Sequence, residues 1–317
     1  MHAARPTLSR LELRCPPLPQ TLVEAMKLLN RPDQLEVKPI TRLVERDPVV
    51  VARLLQIVNS AYYGLRRTVS SVERAVVLLG PVSVAGIIVG MHMLQLRTTL
   101  PGSAMACFNR LAQHCQATAF LARHLLETVL PRLSGQTSVG FTAGLLHDFG
   151  KIMLIYNFPQ EAVGFYEQQR LQNEVQARDE RHLEQLLFGC DHTEAGEYVA
   201  RKLNFPDVLV DVIRYHHVPH QTPATSEAYM ITPAVAVADL VARTMGYAFT
   251  HPLTPEQCLE HPAWRLLQQR YNLSDWTPRS LLTHLQEQQE FLDQHVQHLS
   301  LPNPPQRNRR VLSTTHD

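Results

Sequence analysis

Apolar positions recur along most of this 317-residue chain at the three- and four-residue steps of an amphipathic helix, and alternating strand patterns are nearly absent. The pattern predicts an all-α fold, and its punctuation places the helices. Asp47-Pro48 has the form of an N-cap followed by proline at the first helical position, opening the helix VVVARLLQIVNSAYYG, which is expected to stop at Gly64. Ser70 and Glu73 have the spacing of a capping box for the next helix. The uncharged run from Ala75 to Leu94 has the length of a membrane span, but Gly80-Pro81 divides it into a helix stop and a helix start, which predicts two buried helices instead. Thr254-Pro255 and Thr277-Pro278 predict two later helix starts.

A chain of 317 residues is about twice the usual single-domain length, so two lobes are expected. The Pro101-Gly102 turn within Arg97 to Ser103 marks the hinge between them. The expected organisation is a helical first lobe over 13–100, a second over 101–250, a helical extension over 251–300, and polar ends over 1–12 and 301–317. The last of these, LPNPPQRNRRVLSTTHD, is too rich in proline and too poor in large apolar groups to fold alone. In the extension, Leu282, Leu285, Gln289, Leu292, Val296 and Leu299 follow alternating steps of three and four residues. Such a seam either packs on its own chain, which its shortness favours, or pairs with a second copy in a homodimer whose register Gln289 would fix.

Charge narrows the partners. Charged residues make up 19% and the formal net charge is +1, which leaves no broad field of one sign to hold nucleic acid or an anionic membrane. Cys15, Cys107, Cys115, Cys190 and Cys258 are odd in number and scattered, with no C-x-x-C pair, as expected of reduced thiols in a cytoplasm. The opening MHAARPTLSRLELR has no apolar core of the kind an export signal requires, so a cytoplasmic location is expected.

The candidate chemistry lies in the second lobe. His114, His147-Asp148, His192, His216-His217 and Asp239 each fall in a segment that is helical on independent grounds. His114 shares a face with Leu111, Ala117, Thr118 and Leu121; His192 with Ala195, Gly196, Val199 and Leu203; His216 with Leu209, Val212 and Ile213. Asp239 lies among Val235, Ala236 and Ala242. A single histidine on an apolar face is usually a satisfied core residue. Two carboxylates and five imidazoles turned inward together need compensation that one or two divalent cations supply at once, so the pattern points to a metal site. The alternative is an extended hydrogen-bond network.

The string Leu145-Leu146-His147-Asp148-Phe149-Gly150-Lys151 resembles the HD signature of the HD phosphohydrolase superfamily. CPPLPQTL at 15–22, RDPVVVARLLQIVNSAYYG at 46–64 and VSSVERAVVLLG at 69–80 resemble the start of HDOD domains, a family of bacterial signalling modules derived from HD hydrolases. Glu184, Phe188-Gly189, His192, Gly196, Pro206 and His216-His217 then follow in the family's order, and the resemblance extends over residues 13–245. It implies a two-lobed helical HDOD bundle with His114, His147, Asp148 and Asp239 as ligands of one metal. His192, His216 and His217 are similar to the extra ligands of the binuclear HD-GYP branch, and Lys151 to its phosphate-contacting lysine. For Lys151 an exposed lysine after a helix-stopping glycine is the simpler alternative. The chain departs from that branch after His217, where VPHQTPATSEAYM contains no Gly-Tyr-Pro triplet, and at Arg110, where the branch carries a glutamate.

Two functions follow as expectations. One is a regulatory module that acts through a signalling protein in trans. The other is a metal-dependent phosphohydrolase or phosphodiesterase acting on a nucleotide or other phosphate ester, with Asp148 between metal and water and Lys151 stabilising phosphoryl charge. Iron, manganese and zinc are the expected metals.

Overall fold

The computed structural model of the protein describes residues 13–16, 19–30, 36–59, 65, 67–130, 136–171, 179–273 and 275–296. Among these residues the chain is helical and contains no strand. The first five helices are α1 (Gln20–Leu29), α2 (Val37–Glu45), α3 (Pro48–Val58), α4 (Val72–Leu79) and α5 (Pro81–Gln95). Eight follow: α6 (Gly102–His124), α7 (Thr137–Leu146), α8 (Phe149–Asn157), α9 (Pro159–Leu171), α10 (Glu180–Phe188), α11 (His192–Lys202), α12 (Asp207–Tyr215) and α13 (Ala228–Thr244). The extension holds α14 (Pro255–Glu260), α15 (Ala263–Tyr271), α16 (Pro278–Gln286) and α17 (Gln289–Val296).

Local chemistry explains most of the boundaries. The Asp47 side chain accepts from the amides of Val49 and Val50 and starts α3 at Pro48. That helix ends at Val58, short of the expected stop at Gly64, which lies outside the described residues. The cause is Asn59, whose side-chain amide donates to Leu55 O at 2.8 Å and Val69 O at 2.8 Å while its Oδ1 accepts from Val69 N at 2.6 Å. The returning chain is clamped there. The cap of α4 is Ser71, accepting from Arg74 N, one residue later than the expected Ser70–Glu73 box, because starting at Val72 puts Val72, Ala75, Val76 and Leu79 on the buried stripe. The apolar run breaks at Gly80 into α4 and α5, bent by 106°, and no single helix among the described residues is long and apolar enough to cross a membrane. Thr254 and Thr277 cap α14 and α16 with full capping boxes.

Buried side chains from Leu13 to Val296 form one continuous cluster. Helix α5 packs on both α1 and α7, α6 packs along α7 and α13, and α8 lies across α11. The last crossing is a close one. A Cβ on Gly150 would lie 1.7 Å from His192 O, and one on Gly196 would lie 3.0 Å from Gly150 N, so backbone meets backbone. In the extension, Glu287 and Gln288 interrupt the expected continuous helix between α16 and α17. Leu282, Leu285, Leu292 and Val296 are buried against their own chain, and Gln289 donates to Met245 O; Leu299 lies outside the described residues.

The extension is also held by a pair of imidazoles. His124 at the end of α6 stacks on His284 of α16 at 5.1 Å, with Trp276 5.2 Å from the His284 ring. Burial first, and His284 second, push the His124 pKa down to about 4, against the opposing pull of Glu127 and Glu287.

Two outcomes are expected. Gly150→Ala should cost about 3 kcal/mol or more, because no side chain can yield at a backbone contact, whereas Gly164→Ala, on an open helical position with nothing near its Cβ, should stabilise by about 1 kcal/mol; thermal melts of both variants decide. The folded His124 value lies below the unfolded 6.5, so its contribution to stability is complete above pH 6.5 and is lost as pH falls through about 4. His124→Gln should therefore flatten the fall of melting temperature across that window, and an unchanged profile would contradict this.

Candidate metal centre

The HD pair sits in a helix junction. His147 closes α7 and Asp148 precedes α8, so neither side chain is bound into a helix face and both turn into the core. His192 is the first residue of α11, fixed there by a capping box between Asp191 and Glu194. His216 closes α12, with His217 following, while His114 and Asp239 face each other from α6 and α13.

The fold brings the seven predicted residues into one cluster, the five imidazoles at the Asp148 carboxylate and Asp239 joined to it through His114. Its Oδ2 lies 3.6 Å from His114 Nε2 and 3.5 Å from His147 Nε2. Its Oδ1 lies 3.5 Å from His192 Nε2 and 3.6 Å from His216 Nε2. Asp239 Oδ1 is 3.2 Å from His114 Nε2, and His217 Nε2 is 3.0 Å from His192 Nε2. Within these seven, two donor groups result, one of His114, His147 and Asp148 and the other of Asp148, His192, His216 and His217, each with ligand atoms within 4.8 Å of one another; Asp239, expected with the first, falls in neither. Asp148 belongs to both.

Four of the imidazoles are oriented from behind. His114 Nδ1 donates to Tyr247 O at 2.9 Å, His147 Nδ1 to Gly144 O at 2.8 Å, His216 Nδ1 to Ile213 O at 3.0 Å, and His192 Nδ1 to Glu184 Oε2 at 2.6 Å. In the neutral rings the proton is committed to Nδ1, which leaves an Nε2 lone pair turned toward Asp148. Such an arrangement suits a cation and suits little else. Asp148 Oδ1 and His216 Nε2 are buried without a hydrogen-bond partner, and lone pairs facing a carboxylate repel it unless a positive charge lies between them. The donor set and its two orphaned atoms therefore fit a divalent metal, with nitrogen and oxygen ligands and no thiolate.

Electrostatics agree with this geometry. Burial alone would raise the Asp148 carboxyl, but the positive charge of Lys151 overcomes it and holds the pKa well below the ordinary value. Burial is likewise overcome at Asp239, mainly by His114. His147, where burial dominates, falls to about 3 and stays neutral. His192 moves the other way, since Glu184 outweighs the burial penalty and raises it, so a cation at its Nε2 competes with a proton.

Lys151 is a buried residue, not an exposed one, because Gly150 lies in the first turn of α8 and carries the lysine inward. Its Nζ lies 3.0 Å from Asp148 Oδ2 and 3.0 Å from Glu180 Oε1. Glu180 Oε2 in turn accepts from Thr250 Oγ1 at 2.6 Å. Arg110, one turn before His114, pairs with Glu167 of α9.

Reading residues one at a time misses Glu180 and the orienting role of Glu184. Glu184 is fully buried, accepting from Tyr166 Oη at 2.8 Å and from both the backbone N and Nδ1 of His192. A signal was present, since Glu180, Glu184 and Phe188 fall four apart on one face of α10, two carboxylates in line with a buried aromatic ring.

Comparison with known proteins agrees with the fold. The chain is 23% identical over 245 residues to an uncharacterized protein of Treponema pallidum, matching 77% of this chain and spanning 45% of that relative's length. An HDOD domain protein from Geobacter sulfurreducens superposes with a TM-score of 0.73 at 24% identity, covering 91% of this chain and 94% of that one. A Shewanella amazonensis protein whose name proposes a phosphohydrolase superposes at 0.59 with 21% identity, covering 88% and 94%. A sequence profile of the HDOD domain matches residues 15–219, and with the helical architecture and the seven-residue cluster already in place, the chain belongs to the HDOD domain family.

Proposed function

We propose that the chain is a regulatory module of bacterial signalling that acts through a protein partner in trans, with a divalent cation, iron, manganese or zinc, holding its HD-like helices in the shape the partner recognises. The observation that carries this reading is the place of Asp148. One buried carboxylate faces imidazoles from α6, the α7–α8 junction, α11 and α12, so a cation beside it joins four parts of the helical body through a single point. Lys151 is already engaged by Asp148 and Glu180, and the chain runs from His217 into Val218-Pro219 without a Gly-Tyr-Pro triplet, which weighs against cleavage of a cyclic dinucleotide.

The completeness of the donor set favours a second reading, a metal-dependent phosphohydrolase or phosphodiesterase acting on a nucleotide or other phosphate ester. His217 is only partly buried beside His192, which leaves one side of the cluster closer to solvent. A divalent cation held there supplies Lewis acidity toward a phosphoryl oxygen. Asp148, held deprotonated, would be one of its ligands. Glu184 fixes the His192 proton at Nδ1, and Lys151 keeps a positive charge beside Asp148.

Protein purified without chelators is expected to carry a divalent metal in stoichiometric amount by elemental analysis, and the His147→Ala/Asp148→Ala variant to carry none. Metal should raise the melting temperature of the native protein only, since a ligand at 100 times its Kd stabilises by about 2.7 kcal/mol. A screen of phosphate esters with each metal separates the two readings: turnover by the native protein that disappears in the double variant selects the hydrolase, and no turnover together with a specific partner recovered by cross-linking under reducing conditions selects the module. Glu184→Gln should lower metal affinity by about 10–100-fold, since the ring of His192 loses the carboxylate that orients it; affinity unchanged in a competition titration would remove Glu184 from the site.

A further inference from the structure

A second feature lies on helices that carry none of the seven residues. Helices α1 and α2, with Arg46 just after α2, line a cleft of about 340 Å³. Its rim holds Lys27, Arg42, Arg46 and Glu24, and its floor is formed by Leu28 and Leu43. Arg46 Nη1 donates to Glu24 Oε2 at 2.7 Å, while Glu24 Oε1 accepts from Gln20 Nε2 at 3.0 Å, so the carboxylate is occupied from both sides and holds the arginine in place. Lys27 and Arg42 have no ion-pair partner among the described residues. Three cations against one carboxylate is a local excess in a chain whose whole formal charge is +1.

Cations in the last turn of a helix also complement its dipole, and Lys27 and Arg42 each occupy such a position. That accounts for each residue separately. It does not account for their sharing one concavity with Arg46 over an apolar floor. A small-molecule pocket encloses most of its ligand, whereas Lys27, Pro39, Arg42 and Arg46 are all exposed and the cleft is open to solvent. An open, basic, apolar-floored cleft matches a side chain delivered on a longer polymer.

We propose that the cleft between α1 and α2 is the docking site for an acidic peptide segment of a partner protein, an apolar side chain seated on Leu28 and Leu43 and flanking carboxylates paired with Lys27, Arg42 and Arg46. The inference rests on the reading of the chain as a module that acts through a partner, and it names the face and the chemistry of that contact. Opposite charge at the rim speeds encounter and selects the partner, while the apolar anchor supplies the buried contact.

The test begins with selection from a displayed library of random peptides on the full-length protein. Recovered sequences should be enriched in aspartate and glutamate around a large apolar residue. Fluorescence anisotropy of the recovered peptides should show binding at least about tenfold weaker to Lys27→Glu/Arg42→Glu, and weaker at high salt than at low salt. Both residues are exposed, and circular dichroism and metal content of the variant should match the native protein. Peptides without acidic enrichment, or equal binding by the variant, overturn the proposal. Displacement of the peptides by inorganic phosphate at equal concentration also overturns it, by assigning the cleft to a small anion. Cross-linking in cells distinguishes this failure from that of the underlying reading: a partner captured equally by native and variant protein rejects the cleft and keeps the module. If acidic peptides bind through Lys27 and Arg42 but no cellular partner is captured, the cleft stands and the module reading falls.

Discussion

A carboxylate removed from water and surrounded by imidazoles whose Nδ1 protons are committed elsewhere is the constraint on which the rest of this structure depends. While neutral, the four rings nearest to Asp148 cannot satisfy it, because their Nδ1 protons are committed elsewhere. Lys151 relieves one oxygen, Oδ2, and leaves Oδ1 without a partner. Every element that supplies a ring is therefore held in a geometry that makes sense only around positive charge. Burying an uncompensated ion costs several kcal/mol, a large share of the stability of a single domain.

An outer layer of carbonyls and carboxylates maintains that geometry. Tyr247, Gly144 and Ile213 contribute backbone carbonyls, which no substitution of their side chains removes, while at His192 the same task falls to a carboxylate. The four rings thus differ in how they respond to change. Three are oriented by the fold itself, and one by a residue that can be replaced. Because Glu184 also accepts from Tyr166, and Lys151 is shared with Glu180, α9 and α10 are joined electrostatically to the cluster although they contribute none of its seven residues.

The helices and the inward histidines were legible because both obey local rules. Asp47, Thr254 and Thr277 announce helix starts through their own backbone bonds, and a polar residue on an apolar stripe is visible within a single turn. What stayed hidden depends on partners distant along the chain. The end of α3 is decided by Asn59 reaching Val69, the place of Lys151 by Glu180, and the alignment of His192 by Glu184. The C-terminal seam has the periodicity of a helix that packs on a partner surface, but the pattern alone does not say whose; the burial of Leu285, Leu292 and Val296 supplies that surface from the same chain.

The glycine crossing of α8 and α11 has an evolutionary consequence. Because Gly150 and Gly196 bring main chain against main chain, the distance between Asp148 and His192 is not a property of any side chain that drift can enlarge or shrink. A descendant that exchanges a histidine for another residue while keeping both glycines inherits the same cage with one corner missing. Loss of a ligand and loss of the scaffold are then separable events, and a chain built this way can lose ligands in steps while its architecture remains available for other work.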